Sequence, residues 1–119
     1  MTPRYTRHGS GRHTLYRCVI RASRWDHACG VRWPGSWEAT IERAGRCWQY
    51  VVAHYGRDEY RIAQGTAPTL REAMRAANAA LASIADQIAA TRVAERWIAG
   101  KASVEELLST PGALRAAGY

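Results

Sequence analysis

Along the chain, apolar and polar positions follow a period of two before they follow a helical one. From Thr14 to Ala22 (TLYRCVIRA), Tyr16, Cys18 and Ile20 point one way while Arg17, Val19 and Arg21 point the other. This is a strand with arginine on its wetter face. Trp37, Ala39 and Ile41 alternate in the same manner with Glu38, Thr40 and Glu42. Ala44-Gly45 reads as a two-residue hairpin loop that pairs Arg43 with Arg46 and returns the chain from Arg46 to Tyr55. Ile41 then faces Trp48, Ala39 faces Tyr50 and Trp37 faces Val52. A three-residue loop, Gly56-Arg57-Asp58, places His54 opposite Tyr60 and Val52 opposite Ile62. A two-residue loop would turn Tyr60 and Ile62 outward. The inner face therefore holds Trp37, Ala39, Ile41, Trp48, Tyr50, Val52, His54, Tyr60 and Ile62, and needs a cover.

The cover follows in sequence. Gly65-Thr66-Ala67-Pro68 breaks the strand, and Thr69-Leu70-Arg71-Glu72 is a capping box. Leu70, Met74, Ala77, Leu81, Ile84 and Ile88 then form an apolar stripe of helical period, filled in with alanine. A helix running to Ala99 is about 45 Å long, against about 28 Å for the strands. It must overhang, bend near Thr91, or use its second half elsewhere. Val93, Trp97 and Ile98 on that half can meet a short C-terminal helix opened by the capping box Ser103-Val104-Glu105-Glu106. Thr110-Pro111 reads as the N-cap and first position of a final turn.

The segments between are less patterned. Met1 to His13 is polar, glycine-containing and aperiodic, and reads as a flexible arm ahead of a single domain over 14–119. Ser23 to Ser36 reads as a loop ending at Trp33-Pro34-Gly35. The expected class is α+β: an antiparallel β-meander of three to four strands in β-β-β-α order, covered by one long Ala-rich helix, with a short C-terminal helix and a basic N-terminal arm.

Charge sharpens this picture. The 119 residues carry 17 Lys+Arg against 10 Asp+Glu, a net +7. Segment by segment, residues 1–24 contribute six arginines and no acid, 25–61 are neutral, and 62–119 carry one net positive charge. The excess thus sits on Arg4, Arg7, Arg12, Arg17, Arg21 and Arg24, interleaved with Tyr5 and Tyr16. Arginine forks onto phosphate and stacks on bases, so these arginines with Tyr5 are the expected nucleic-acid contacts.

Catalytic patterns are missing. Glu38 and Glu42 lie about 13 Å apart along one strand, too far for an acid–base pair. No acid is expected beside His54 to orient it as a base. There is no phosphate-binding glycine loop, nucleophile elbow or H-E-x-x-H. Cys18, Cys29 and Cys47, with His27 and His54, lack the close ligand pairs of a structural zinc site and read as reduced thiols. No enzyme, cofactor or metal is expected. No run of 18 apolar residues and no secretory leader occur, so a cytoplasmic protein without a membrane span is expected.

The β-β-β-α order, with Gly65 ahead of the helix Thr69-Leu70-Arg71-Glu72-Ala73-Met74-Arg75-Ala76-Ala77, is similar to part of a double-stranded-RNA-binding domain over roughly residues 37–85. That family's preceding helix has no counterpart here, and its paired basic residues at the helix start reduce to Arg71 beside Leu70. The order also resembles the three-stranded arm-binding module of phage-type integrases. Many small folds share it, so it assigns no family. The expectation is a small non-catalytic binding protein of phage or mobile-element type, contacting DNA or RNA through its arginine arm. The alternative is a protein-directed inhibitor or adaptor, for example an anti-CRISPR-like protein that blocks a nucleic-acid-binding complex. It would use the sheet face and long helix, with Trp25, Trp33, Tyr55 and Trp97 as contacts. The long helix could also pair two copies into a homodimer.

Overall fold

The computed structural model describes residues 3–119 and is α+β. Seven strands come first: β1 (Thr6–His8), β2 (Leu15–Arg21), β3 (Arg24–Asp26), β4 (Val31–Trp33), β5 (Gly35–Ala44), β6 (Cys47–Gly56) and β7 (Glu59–Ala67). Four helices follow: α1 (Leu70–Ser83), α2 (Ala85–Ile98), α3 (Val104–Ser109) and α4 (Ala113–Ala116). One antiparallel sheet has the order β1-β2-β5-β6-β7, and β3 pairs with β4 in a separate hairpin. Helix α1 covers one face of the large sheet. Trp37, Ala39, Ile41 and Val52 beneath it are buried against Ala73, Ala77 and Leu81 of the helix.

The faces of the strands follow the alternation, but the register differs from the expected one. Ala44 pairs with Cys47, so the hairpin loop is Gly45-Arg46, and Ile41 faces Tyr50, Ala39 faces Val52, and Trp37 faces His54. Gly45 has φ +63° and among the described residues no non-glycine residue has positive φ, the arrangement of a type II′ turn with glycine at its first loop position. A slip of two residues preserves which side chains face inward, so the pattern alone could not choose between registers. The second hairpin pairs His54 with Tyr60 as expected, but a bulge at Val52/Ala53 moves Val52 from Ile62 to Ala63. Tyr60 is not a core residue. It is 47% exposed.

Three further expectations are corrected. Residues 6–8 of the presumed arm form an edge strand on β2, followed by a 3-10 turn over Gly11–His13. Tyr5 packs against the core, and its hydroxyl donates to Asn78 Oδ1 on α1 at 2.8 Å. Burial pushes that hydroxyl up to about 12. The strand covers the edge of β2, and Tyr5 just ahead of it lies near the buried thiol of Cys18. Residues 23–36 are not a loop, because Arg24–Asp26 and Val31–Trp33 pair into a hairpin across a turn at His27–Gly30. The long helix breaks at Ile84 (φ −111°, ψ 11°), seven positions before Thr91. Its first half lies on the sheet and its second half on β3 and α4. Thr91 is buried instead, with its hydroxyl donating to the Gln87 carbonyl at 3.1 Å.

Both capping boxes form: Thr69 Oγ1 accepts from the Glu72 N–H and Ser103 Oγ from the Glu106 N–H, each at 3.1 Å. Thr110 does not cap the last helix. It ends α3, and Gly112 in the left-handed region opens α4.

The docked strand has a testable consequence. Tyr5→Ala is expected to cost about 2 kcal/mol through lost apolar burial and to make Cys18 react readily with a thiol reagent. Tyr5→Phe should cost about 1 kcal/mol for the lost hydrogen bond and leave Cys18 protected. Urea unfolding and thiol titration measure both.

Candidate nucleic-acid interface

The six N-terminal arginines do not form one surface. Arg17 on the outer sheet face donates through Nε to Glu38 Oε1 at 2.6 Å. Arg24 is 7% exposed, stacked at 4.2 Å on the Tyr60 ring, with Asp58 and Asp26 at 3.5 and 3.9 Å. Arg21 is exposed at the far end of β2, and its carbonyl accepts from Arg92 Nε at 3.3 Å. Arg4, Arg7 and Arg12 remain exposed with no ion pair among the described residues.

What the fold does bring together is a different set. At the end of the sheet where β5 turns into β6, the row Arg43–Trp48–Ala67 leads into the first turn of α1. Arg12 and Arg43 line one groove of about 510 Å³ with Gly11 and Gly45. The Arg43 N–H donates to the Thr14 carbonyl at 3.3 Å, tying the 3-10 turn to this hairpin. Arg43 also lies over the Trp48 ring at 5.7 Å. Arg46 occupies the hairpin loop itself. On α1, Arg71, Arg75 and Asn78 share one flank by their spacing. The Tyr5–Asn78 bond sets the edge strand beside that flank, and Arg7, opposite Tyr16 in the register, shares the inner face of the same edge. Leu70, Arg71, Met74, Arg75 and Asn78 line a second, open groove of about 680 Å³.

Arg7, Arg12, Arg43, Arg46, Arg71 and Arg75 thus share one end of the molecule, all exposed and none ion-paired among the described residues. The acids at this end are Glu42 and Glu72. Four of the six arginines lie outside the N-terminal segment, so charge summed along the chain does not reveal them. The signals that would are Arg43 and Arg46 at one glycine turn, and Arg71 and Arg75 one helical turn apart.

Two arginines of the outer sheet face are paired with acids. Besides the Arg17–Glu38 pair, Arg61 Nε donates to Glu59 Oε1 at 2.8 Å and Arg61 Nη1 to Gln64 Oε1 at 2.6 Å. Glu59 also accepts from the Tyr55 hydroxyl at 3.3 Å. Among the described residues no helix covers this face.

The aromatic residues expected at a protein interface do not converge. Trp25 and Trp33 belong to the β3–β4 hairpin, where Trp25 Nε1 donates to His27 Nδ1 at 3.1 Å and Trp33 Nε1 to Asp26 Oδ2 at 3.2 Å. Tyr55 is on the outer sheet face, and Trp97 on α2 donates to the Tyr119 hydroxyl at 3.2 Å. Cys18 is buried on β2, Cys29 is exposed in the hairpin turn and Cys47 is exposed at the start of β6. Among the described residues no helix is long and apolar enough to cross a membrane.

His54 is 1% exposed, edge-on to Trp37 at 5.0 Å, and its Nε2–H donates to the Ala22 carbonyl at 3.1 Å. Burial lowers its pKa, the nearby Arg24 adds to that, and the Ala22 bond and Asp58 oppose it. A histidine held neutral in the folded chain binds fewer protons than in the unfolded chain, where its pKa is about 6.5. Its contribution is therefore complete above that value and is lost as pH falls below it. Urea midpoints are expected to be flat above pH 7 and to fall between about pH 6.5 and 5. His54→Gln should flatten that limb. Asp26, held at about 2 by hydrogen bonds from Cys29, Trp33 and Ala28, loses its contribution only below the usual carboxylate range, so the two limbs separate.

Compared with protein-family models, curated proteins and solved structures, the chain matches none.

Proposed function

We propose that this is a non-catalytic nucleic-acid-binding protein that holds the phosphate backbone on its arginine end. The observation that carries the reading is the convergence of six exposed arginines, without ion-pair partners among the described residues, from the edge strand, the 3-10 turn, the β5–β6 hairpin and helix α1. Arginine is suited to this surface because its guanidinium donates two parallel hydrogen bonds to phosphate. A duplex or single strand of DNA or RNA would be bound chiefly by displacing counterions. Such contacts position a strand without reading its sequence. Arg4 flanks this surface, while Arg17, Arg21 and Arg24 leave the proposed contact set.

Amide chemical-shift mapping with a short duplex and with a single strand tests this reading. Shifts around Arg12, Arg43, Arg46, Arg71 and Arg75, with the outer sheet face silent, are expected. Shifts confined to the outer face, or none with either nucleic acid, would overturn it.

A second reading rests on the uncovered outer face, where Val19 is 46% exposed between ion pairs that already satisfy each other. Such a face suits a protein partner, including a nucleic-acid-binding complex, better than phosphate. The same mapping separates the two.

A further inference from the structure

The arginine end also carries an apolar floor that phosphate contacts do not use. Tyr16 faces Ile41 and Trp48 faces Arg43, on the side of the sheet that α1 covers. Helix α1 follows closely on Ala67, the other partner of Trp48, and its Asn78 reaches Tyr5 at the opposite edge. Tyr16 and Trp48 therefore lie in the angle between the helix and the edge strand, and both stay partly exposed. Their rings stand 6.1 Å apart and tilted by 57°, so neither closes off the other's face. Arg43 lies 5.7 Å from the Trp48 ring centre, against 4.2 Å for Arg24 on Tyr60 and 4.7 Å for Arg57 on Trp33. Trp48 is the most loosely covered of these three rings.

The helix side of the angle repeats the pattern. Leu70 and Met74 are partly exposed along the open groove of about 680 Å³, between Arg71, Arg75 and Asn78. Apolar side chains thus sit between arginines on both walls. Glu42 faces away, because its register partners Leu15 and Gln49 lie on the outer face. A surface serving phosphate alone gains nothing from apolar side chains left in water between its arginines. A duplex keeps its bases stacked inside and presents its phosphates outward, so it reaches the arginines and not the floor. A single strand can turn unstacked bases onto the floor, where their π-faces stack on aromatic rings whatever the sequence.

We propose that the arginine end takes a single strand of DNA or RNA, with bases on the floor of Tyr16 and Trp48 and phosphates on the flanking arginines. This rests on the nucleic-acid reading above and narrows its ligand. Trp48 gives the main stacking surface, Arg43 beside it holds the adjoining phosphate, and Leu70 and Met74 give a neighbouring base an apolar contact. Stacking is not screened by salt. Counterion release also falls less steeply for a single strand, about 0.7 against about 0.9 per phosphate. Strand binding therefore outlasts duplex binding as salt rises.

The test compares three labelled probes of equal length on the full chain by fluorescence anisotropy at about 0.3 M salt. They are oligothymidylate, an abasic strand with the same phosphates and no bases, and a duplex. Oligothymidylate should bind about tenfold tighter than either of the others. Trp48→Leu keeps an apolar contact with the core and removes the ring, and should cut the ratio of oligothymidylate to abasic affinity about fivefold. The comparison of the two strands on the native chain needs no variant. Oligouridylate binding tighter than oligodeoxyuridylate would assign the strand to RNA, and equal or weaker binding to DNA; both results support the floor. Equal affinity for oligothymidylate and the abasic strand, or a ratio unchanged in Trp48→Leu, would overturn it. If all three probes bind equally and Arg71→Ala with Arg75→Ala weakens all of them, the arginine end stands and the floor falls. If no probe binds at any salt concentration, both fall.

Discussion

Replacing Arg71 and Arg75 together with alanine is expected to weaken nucleic-acid binding about 30-fold at 0.15 M salt. Each phosphate neutralised by an arginine releases close to one counterion, worth a factor of about five at that salt concentration, and two independent contacts multiply. Both side chains are exposed on α1 and make no ion pair among the described residues. Alanine is the best helix former, so the fold should not suffer. The control is Arg17→Ala with Arg61→Ala, an equal loss of charge from the outer sheet face. Those guanidiniums are already paired with Glu38 and Glu59, and affinity should change less than about twofold. Fluorescence anisotropy with one labelled duplex measures all three proteins. Equal losses from the two double variants would mean that net charge, and not its placement, governs binding.

Gly35→Ala is expected to be the most destabilising small substitution in the sheet, at about 3–5 kcal/mol. Gly35 has φ +145°, and a Cβ there would stand 2.1 Å from the Tyr55 carbonyl oxygen and 2.8 Å from the buried His54 ring. Its cross-strand neighbour Gly56 is as tight, since a Cβ there would meet the Pro34 carbonyl at 2.2 Å. The facing glycines let β5 and β6 approach closely where β5 follows the β3–β4 hairpin. Gly45→Ala is the comparison. Gly45 has φ +63° but no atom within 4 Å of a Cβ, so only the left-handed backbone is penalised, by about 1 kcal/mol. At about 4 °C per kcal/mol for a chain of this size, thermal midpoints should fall by about 12–20 °C and about 4 °C respectively. Circular dichroism melts resolve that difference. Comparable shifts would show that the close approach at Gly35 does not constrain the sheet.

Much of the architecture was legible where a local rule has one answer. Thr69 with Glu72 and Ser103 with Glu106 fixed two helix starts, and the alternation from Trp37 to Ile41 fixed which face is buried. The hairpin register was not legible, because pairing Arg43 with Arg46 or Ala44 with Cys47 buries the same side chains. The choice rests on where Gly45 places its positive φ. The break at Ile84 carries no proline or glycine, and the stripe Leu81–Ile84–Ile88 runs through it. Tertiary packing causes it, since α1 ends with the sheet while α2 turns to the β3–β4 hairpin.

The edge strand within the arm is illegible for the same kind of reason. Three strand residues held by a neighbouring edge and one inserted tyrosine have no periodicity to display. The candidate site was the least legible part. Arginines from three separate segments meet only after folding, and Arg24, which counts as positive charge in the sequence, is buried and balanced in the structure.

The slope of log affinity against log salt concentration tests the arginine end most directly. For duplex DNA, six phosphate contacts correspond to a slope of about −5. Neutralising Arg7, Arg12, Arg43, Arg46, Arg71 and Arg75 should reduce it nearly to zero, with the fold retained by circular dichroism. A slope near zero for the native chain, or one that the six substitutions leave unchanged, would contradict the assignment.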